Sequence, residues 1–219
     1  MKTVAIIVAG GRGKRMGQPK QFLKIAGKPM LAWTVDAFQK VKAVDGIILV
    51  VAEDQLALAK KIRSSKIIAV VPGGKLRQDS VRHGLAVLPK GVQIVLIHDG
   101  ARPAVPAETI NATIRAARQH GAVIAAVPVK DTIKRLANNT SRISETVDRH
   151  GLWAAQTPQT FTAALIVKAY EQLKHDVTDD AAAVEKFGIP VEVVMGSYSN
   201  LKVTTPEDLT IMAAILKGR

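Results

Sequence analysis

The chain has 219 residues, 31 Lys and Arg against 18 Asp and Glu for a formal charge of +13, an apolar fraction of 47%, and no cysteine. That length suits one sizeable domain with a proper core, and the missing cysteine excludes disulfides, thiolate metal sites and thiol nucleophiles. The apolar runs are strand-sized, well short of the roughly 18 residues a membrane helix needs, and the N-terminal run leads into glycines and arginines rather than a cleavage site, so a cytoplasmic protein is expected.

Residues 3–8 read as a buried strand, and VAGGRGKRM at 8–16 follows at once, with Pro19-Lys20-Gln21 just beyond. Gly10, Gly11 and Gly13 permit close backbone approach, while Arg12, Lys14, Arg15 and Lys20 supply positive charge, a combination suited to gripping a nucleoside triphosphate. Two better-known loops do not fit. The dinucleotide fingerprint needs glycine where Met16 stands, and the phosphate loop needs Ser or Thr where Arg15 follows Gly13-Lys14.

A helix is predicted over 31–41, a strand over 46–51, a helix over 55–62, a strand over 67–71, a helix over 80–88 and a strand over 93–97. A helix over 107–119 and a strand over 122–127 continue the alternation. The strands are uninterrupted Ile and Val runs, as expected when helices cover both faces, so the fold class is α/β with a mostly parallel sheet. Ligands then bind at the carboxyl ends of the strands, where loops 10–20, 72–80 and 98–103 lie. Residues 130–155 break the rhythm: two β-prone limbs flank Asn138-Asn139 and read as a projecting hairpin arm. Helices over 163–173 and 179–187, a strand over 191–194 and a capping box at Thr205-Pro206-Glu207-Asp208, opening a last helix through 216, complete a single domain. Met30, Trp33 and Phe38 read as a core stripe on the first helix.

The basic charge raises nucleic-acid binding as a separate class of function. Aromatics are only 4% of residues, too few for base-stacking platforms, and the cluster Lys60, Lys61, Arg63 and Lys66 reads as a solvated helix face.

Several segments together resemble the 2-C-methyl-D-erythritol 4-phosphate cytidylyltransferase family of the nonmevalonate isoprenoid pathway. They are the first glycine loop, Gly73-Gly74 with Arg77-Gln78-Asp79-Ser80, His98-Asp99-Gly100-Ala101-Arg102-Pro103, Asp131-Thr132, Thr146-Val147-Asp148-Arg149, Gly151-Leu152-Trp153, Gln156-Thr157-Pro158-Gln159, Thr178-Asp179 and Asn200-Leu201-Lys202-Val203-Thr204. The resemblance implies a Rossmann-like nucleotidyltransferase whose arm embraces a second copy in a homodimer, with CMP passing from CTP to methylerythritol phosphate in the presence of Mg²⁺ or another divalent cation. Nucleic acid and membranes are not among the implied partners. Ribitol 5-phosphate enzymes share the first loop, the His-Asp motif and Thr-Pro-Gln, but the arm motif resembles the methylerythritol enzymes. A UTP- or dTTP-dependent sugar nucleotidyltransferase would need carboxylates for two metals that are not evident.

By this resemblance Arg15 and Lys20 stabilise the transition state, and Arg149 and Lys202 position the acceptor phosphate, Arg149 from the partner's arm. Ala9, Gly10, Gly11, Gly13, Gly73, Gly74, Ser80, Asp99 and Gly100 surround the nucleotide, with main-chain groups choosing cytosine. Asp99, Arg102, Thr132, Thr157 and Thr178 join Arg149 and Lys202 around the acceptor. Asp99, a carboxylate at a strand end, is the metal candidate, since Mg²⁺ is commonly held by one carboxylate plus substrate phosphates. Ser80 and Thr178 both have helix capping as an alternative role, and Arg102 has an ion pair with Asp99. His98 reads as a packed histidine and Trp153 as a dimer contact.

Overall fold

The computed structural model describes residues 2–11, 19–138 and 140–218. The chain opens with β1 (Lys2–Ala9), whose even-numbered residues Val4, Ile6 and Val8 face one core while Ala5, Ile7 and Ala9 face another. That two-sided burial is why the strand carries no alternation of polar and apolar residues. After a 3₁₀ turn at Lys20–Phe22, the short strands β2 (Lys24–Ile25) and β3 (Lys28–Pro29) form a tight ribbon leading into helix α1 (Met30–Gln39). Met30 and Phe38 are fully buried, whereas Trp33 is half-buried and spends its indole N–H on the Ile25 carbonyl at 2.8 Å.

Strand β4 (Gly46–Val51), helix α2 (Leu56–Ala59), strand β5 (Ile67–Pro72), helix α3 (Arg77–Ala86), strand β6 (Val92–Asp99), helix α4 (Ala107–His120) and strand β7 (Ala122–Pro128) follow the predicted alternation. Helix α4 stops at Gly121, whose φ of 85° suits glycine and whose N–H caps the Ala117 carbonyl. The predicted helix over 55–62 contracts to the four residues of α2 behind a 3₁₀ turn.

Strands β8 (Ile133–Leu136) and β9 (Ile143–Val147) pair antiparallel into a separate ribbon, almost wholly exposed. Beyond it, β10 (Trp153–Thr162) rejoins the main sheet, followed by helices α5 (Ala163–Gln172) and α6 (Asp180–Glu185), strand β11 (Glu192–Met195) and helix α7 (Pro206–Lys217). Asp208 accepts the Thr205 N–H at 2.9 Å at the start of α7, so the capping carboxylate stands where the sequence put it.

The seven-stranded sheet runs β11-β7-β10-β6-β1-β4-β5. Neighbours are parallel except for β10, which lies antiparallel between β6 and β7. Its middle, Gln156-Thr157-Pro158-Gln159-Thr160, is polar and interrupted by proline, so no apolar run marked it as a strand. Residues 153–155, expected within the arm, instead pair with β7. Helices α1, α2 and α4 cover one face over Leu31, Val35 and Ile110, and α3, α5 and α6 cover the other over Val81, Ile166 and Val184. A third cluster seats α7 through Met212 and Leu216 against Ile25, Met30 and Ala104. That contact carries the 196–205 loop to the carboxyl edge of the sheet.

Candidate active site

Two adjoining cavities open at that edge. The first, about 270 Å³, is lined by Ala9, Gly10, Gly11, Lys20, Gly74, Ser80 and neighbouring residues. The second, about 310 Å³, is lined by Arg102, Gln156, Thr157, Thr178 and Asp179 among others. Arg77, Asp99 and Lys202 belong to both walls, so the cavities meet at a cluster of charged side chains.

Asp99 ends β6 and accepts from Arg77 Nε at 3.2 Å on Oδ1, and from Lys202 Nζ at 2.9 Å and Arg102 Nε at 3.5 Å on Oδ2. Burial pushes its pKa up, yet the attraction of Arg77, Lys202 and Arg102 outweighs burial and holds it well below the usual carboxylate range. The group is therefore an anion at any physiological pH. Arg102 is drawn down by burial, which Asp99 only partly offsets, and its Nη1 donates to the Asn200 carbonyl at 2.7 Å.

Three further contacts fix the loop that delivers Lys202: Val203 N–H to the Ala101 carbonyl at 2.9 Å, Lys20 Nζ to the Val203 carbonyl at 2.8 Å, and Asn200 Nδ2 to the Thr157 carbonyl at 2.8 Å. Gln156 completes this anchor by accepting from Asn200 and bridging Ser197. These amide side chains carry no role in the sequence reading, because their partners lie about forty residues away along the chain.

His98 is fully buried between the Thr157 hydroxyl on Nδ1, at 2.9 Å, and the Arg102 carbonyl on Nε2, at 3.2 Å. A carbonyl only accepts, so Nε2 carries the proton and Nδ1 accepts from Thr157. The same hydroxyl accepts the Asp99 N–H at 3.0 Å. Burial pulls the imidazole pKa down to about 3, so His98 stays neutral and serves as a packed bracket behind Asp99, tilted against Phe38. Thr157 thus faces the second cavity while its hydroxyl is committed to His98 and Asp99.

At the first cavity, an added Cβ at Gly73 would lie 2.8 Å from Ser80 Oγ and 3.3 Å from Gly10 Cα. The two glycine loops touch, and only residues without Cβ allow it. Gly73 and Gly100 stand behind this contact rather than in the cavity wall, Gly100 against Ala9 and Leu31. Ser80 Oγ accepts the Gly74 N–H at 3.1 Å and donates to the Leu76 carbonyl at 3.3 Å, so it fastens the loop to α3 while lining the cavity. Gln21, buried, donates to the Ala9 carbonyl at 2.6 Å and to the Gly11 carbonyl, tying the end of β1 to the Lys20 turn. Gly13 and Arg15 lie outside the described residues.

Asp179 caps α6 by accepting the Ala182 N–H at 2.9 Å, which leaves the exposed Thr178 lining the second cavity. Thr132 and Arg149 are not brought to either cavity of this chain: both are exposed at the arm, where Arg149 Nη1 donates to the Lys130 carbonyl. Arg77 is the principal residue without a role in the sequence reading. It forks onto Asp180 through Nη1 at 3.0 Å and Nη2 at 2.7 Å while holding Asp99. Burial disfavours its charge, but Asp180 and Asp99 reverse the effect and raise its pKa.

No group of three or more His, Cys, Asp or Glu suited to a metal occurs among the described residues. Asp99 has about four lone-pair positions, and three face cations, leaving roughly one for a hard dication whose other ligands would be phosphate oxygens and water. The donor set fits Mg²⁺ arriving with a polyphosphate rather than an ion resident in the protein.

The profile of the family described as 2-C-methyl-D-erythritol 4-phosphate cytidylyltransferase matches residues 3–218. A relative of that name from Desulforamulus reducens is 47% identical over 226 residues, covering 99% of this chain and 96% of its own. The crystal structure of 4-diphosphocytidyl-2C-methyl-D-erythritol synthase from Anaerococcus prevotii superposes with a TM-score of 0.87 at 36% identity, covering 99% of this chain and 96% of that one. The Thermus thermophilus 2-C-methyl-D-erythritol 4-phosphate cytidylyltransferase gives a TM-score of 0.82 at 27% identity over 97% and 98% of the two chains. Profile, sequence relatives and solved folds span essentially the whole molecule, and the chain belongs to the 2-C-methyl-D-erythritol 4-phosphate cytidylyltransferase family.

Proposed function

We propose that the protein transfers CMP from CTP to 2-C-methyl-D-erythritol 4-phosphate, releasing pyrophosphate and 4-diphosphocytidyl-2-C-methyl-D-erythritol for isoprenoid synthesis. The observation that carries this reading is the junction of two cavities at Asp99, Lys202 and Arg77, which gives a nucleotide chamber and an acceptor chamber one shared cationic wall. One acceptor phosphate oxygen bonds to the α-phosphorus of CTP while the bond from that phosphorus to the bridging oxygen of the β-phosphate breaks. A phosphate monoester has its second pKa near about 6, so the acceptor attacks as a dianion without a general base.

The barrier is electrostatic, since one anion approaches another. Positioning and neutralisation lower it. Lys20 and Lys202 line the first cavity and Lys202 the second as well. On this reading the Lys20 ammonium, which also donates to the Val203 carbonyl, binds the triphosphate, and Lys202 takes the acceptor phosphate. Each preorganised cation contributes on the order of 3 kcal/mol. Arg15 adds charge from the first loop. Asp99 would be the protein ligand of a Mg²⁺ ion brought with CTP, which would supply charge neutralisation on the phosphates. Backbone carbonyls near Ala9, Gly10 and Gly74 accept from the exocyclic amine of cytosine. The arm clasps a second copy, its exposed Ile143 and Leu136 favouring burial in an interface, and the partner's Arg149 reaches the acceptor phosphate. The reaction belongs to the cytoplasm, where CTP is made.

The test is pyrophosphate release from CTP and Mg²⁺ with methylerythritol phosphate and, in parallel, ribitol 5-phosphate. Release with the first acceptor alone supports the reading. Release with ribitol 5-phosphate moves the protein to the pentitol enzymes, and silence with both, joined to salt-sensitive DNA retention, favours the nucleic-acid alternative.

A further inference from the structure

Asp180 is fully buried at the first turn of α6, so no substrate can touch it. Its Oδ1 accepts from Arg77 Nη1 at 3.0 Å and from the Tyr170 hydroxyl at 2.6 Å, and its Oδ2 accepts from Arg77 Nη2 at 2.7 Å. Arg77 is the first residue of α3, directly after the loop that lines the nucleotide chamber, and its Nε reaches Asp99. Asp180 follows Thr178 and Asp179, which line the acceptor chamber. One guanidinium therefore spans the nucleotide loop, the carboxylate at the junction and the acceptor loop. A buried ion pair is weak evidence for stability, because an apolar contact of similar volume serves as well. What a fork onto a carboxylate adds is fixed orientation.

We infer that Asp180 is a positioning residue for CMP transfer, acting through Arg77 to hold the nucleotide loop and the acceptor loop at the separation that in-line attack requires. This rests on the transferase reading above. Charge makes the inference specific. Arg77, Arg102 and Lys202 against Asp99 and Asp180 leave one net positive charge at the junction, and neutralising Asp180 leaves two. CTP binding then holds or strengthens in Asp180→Asn while the reacting groups lose their registration. Losing the fork loosens the loop without unfolding it, since Gln78 still binds Asp176 and the Val177 N–H, and Gln159 binds Asp179 and the Asp180 and Ala181 N–H groups, now on a less rigid support.

The experiment is steady-state kinetics of the full chain as Asp180→Asn, Arg77→Lys and the double variant, with amide hydrogen exchange of residues 176–182. Misplacement by an ångström costs on the order of a hundredfold, so kcat is expected to fall ten- to a hundredfold in each single variant with KM for CTP unchanged or lower. Because the two residues act as one unit, the double variant is expected to be no worse than the worse single one. Losses that multiply, or rates within about twofold of the parent, overturn the inference. If Asp180→Asn does not fold, Tyr170→Phe, which keeps the charge and removes one donor, is expected to lower kcat several-fold without raising KM for CTP, and a parental kcat overturns the inference. A parent that releases no pyrophosphate defeats the transferase reading by itself. The strut is then judged by exchange alone: faster exchange over 176–182 in Arg77→Lys upholds it, and unchanged exchange overturns it.

Discussion

Replacing Asp99 by Asn isolates what the junction carboxylate does for the fold. The substitution keeps the shape and removes the charge that three cations share, leaving Arg102 without its anion and Arg77 with Asp180 alone. Removing one partner of a buried pair costs about 3–5 kcal/mol. Lys202 is half-exposed and Arg77 retains Asp180, which places the cost at the lower end, about 3 kcal/mol. At roughly 2–4 °C per kcal/mol for a chain of this size, the melting temperature falls by roughly 6–12 °C. The pH dependence gives a sharper test. The folded-state pKa of Asp99 lies below its ordinary value of 3.8. Its stabilisation is therefore fully present above about pH 5 and lost as pH falls below 3.8, by about 1.4 kcal/mol per pH unit. Calorimetry of parent and Asp99→Asn from pH 7 to pH 3 is thus expected to show a gap that is constant to about pH 5 and narrows on further acidification. A gap of less than about 1 °C at pH 7, or one that stays constant down to pH 3, refutes the assignment of the charge cluster.

Lys20→Ala is expected to leave the fold intact, losing one hydrogen bond to the Val203 carbonyl, and to cut turnover by about 10²–10³ in a pyrophosphate-release assay; a near-parental rate sinks the transition-state role. Arg149→Ala is expected to raise KM for the acceptor with KM for CTP unchanged, and mixing it with Lys20→Ala is expected to restore activity, since each mixed dimer then holds one complete site. On the proposed clasp of two arms, the parent is expected to sediment as a dimer and Ile143→Glu as a monomer with lower acceptor use, and a parent that sediments as a monomer refutes the clasp. In α3, a Cβ at Gly84 would lie 2.5 Å from Ile6 Cγ2 and 3.2 Å from Val50 Cγ2. Gly84→Val is therefore expected to cost about 3 kcal/mol through overpacking, read as a melting temperature roughly 6–12 °C lower.

Strands β1, β4, β6 and β7 were legible because both faces are buried and the residues say so continuously, and the edge strand β5, only partly buried, was legible from its apolar run alone. Strand β10 was hidden for the opposite reason: its buried positions Gln156, Thr157, Gln159 and Thr160 are polar, and the side chains of the first three bind Asn200, His98 and the α6 amides. The candidate site was legible where chemistry and motif coincide, at Asp99, Lys20 and Lys202. Arg77 and Asp180 escaped because they sit 103 residues apart, and nothing local distinguishes a buried fork from two solvated charges. Thr132 and Arg149 mark the converse limit, since a motif named them and one chain alone does not bring them to a cavity.

The antiparallel strand β10 also fixes when the molecule can become whole. Strands β6 and β7 never touch, and the slot between them fills only when the chain has passed through the arm and returned. During synthesis the first half of the protein emerges with two bare sheet edges facing each other, each able to accept a foreign strand. The segment that closes them is continuous with the one that protrudes, so two nascent copies that clasp arms too early can trade their tenth strands as well. The arm that would join finished subunits is in this way the part of the chain through which unfinished ones can become entangled.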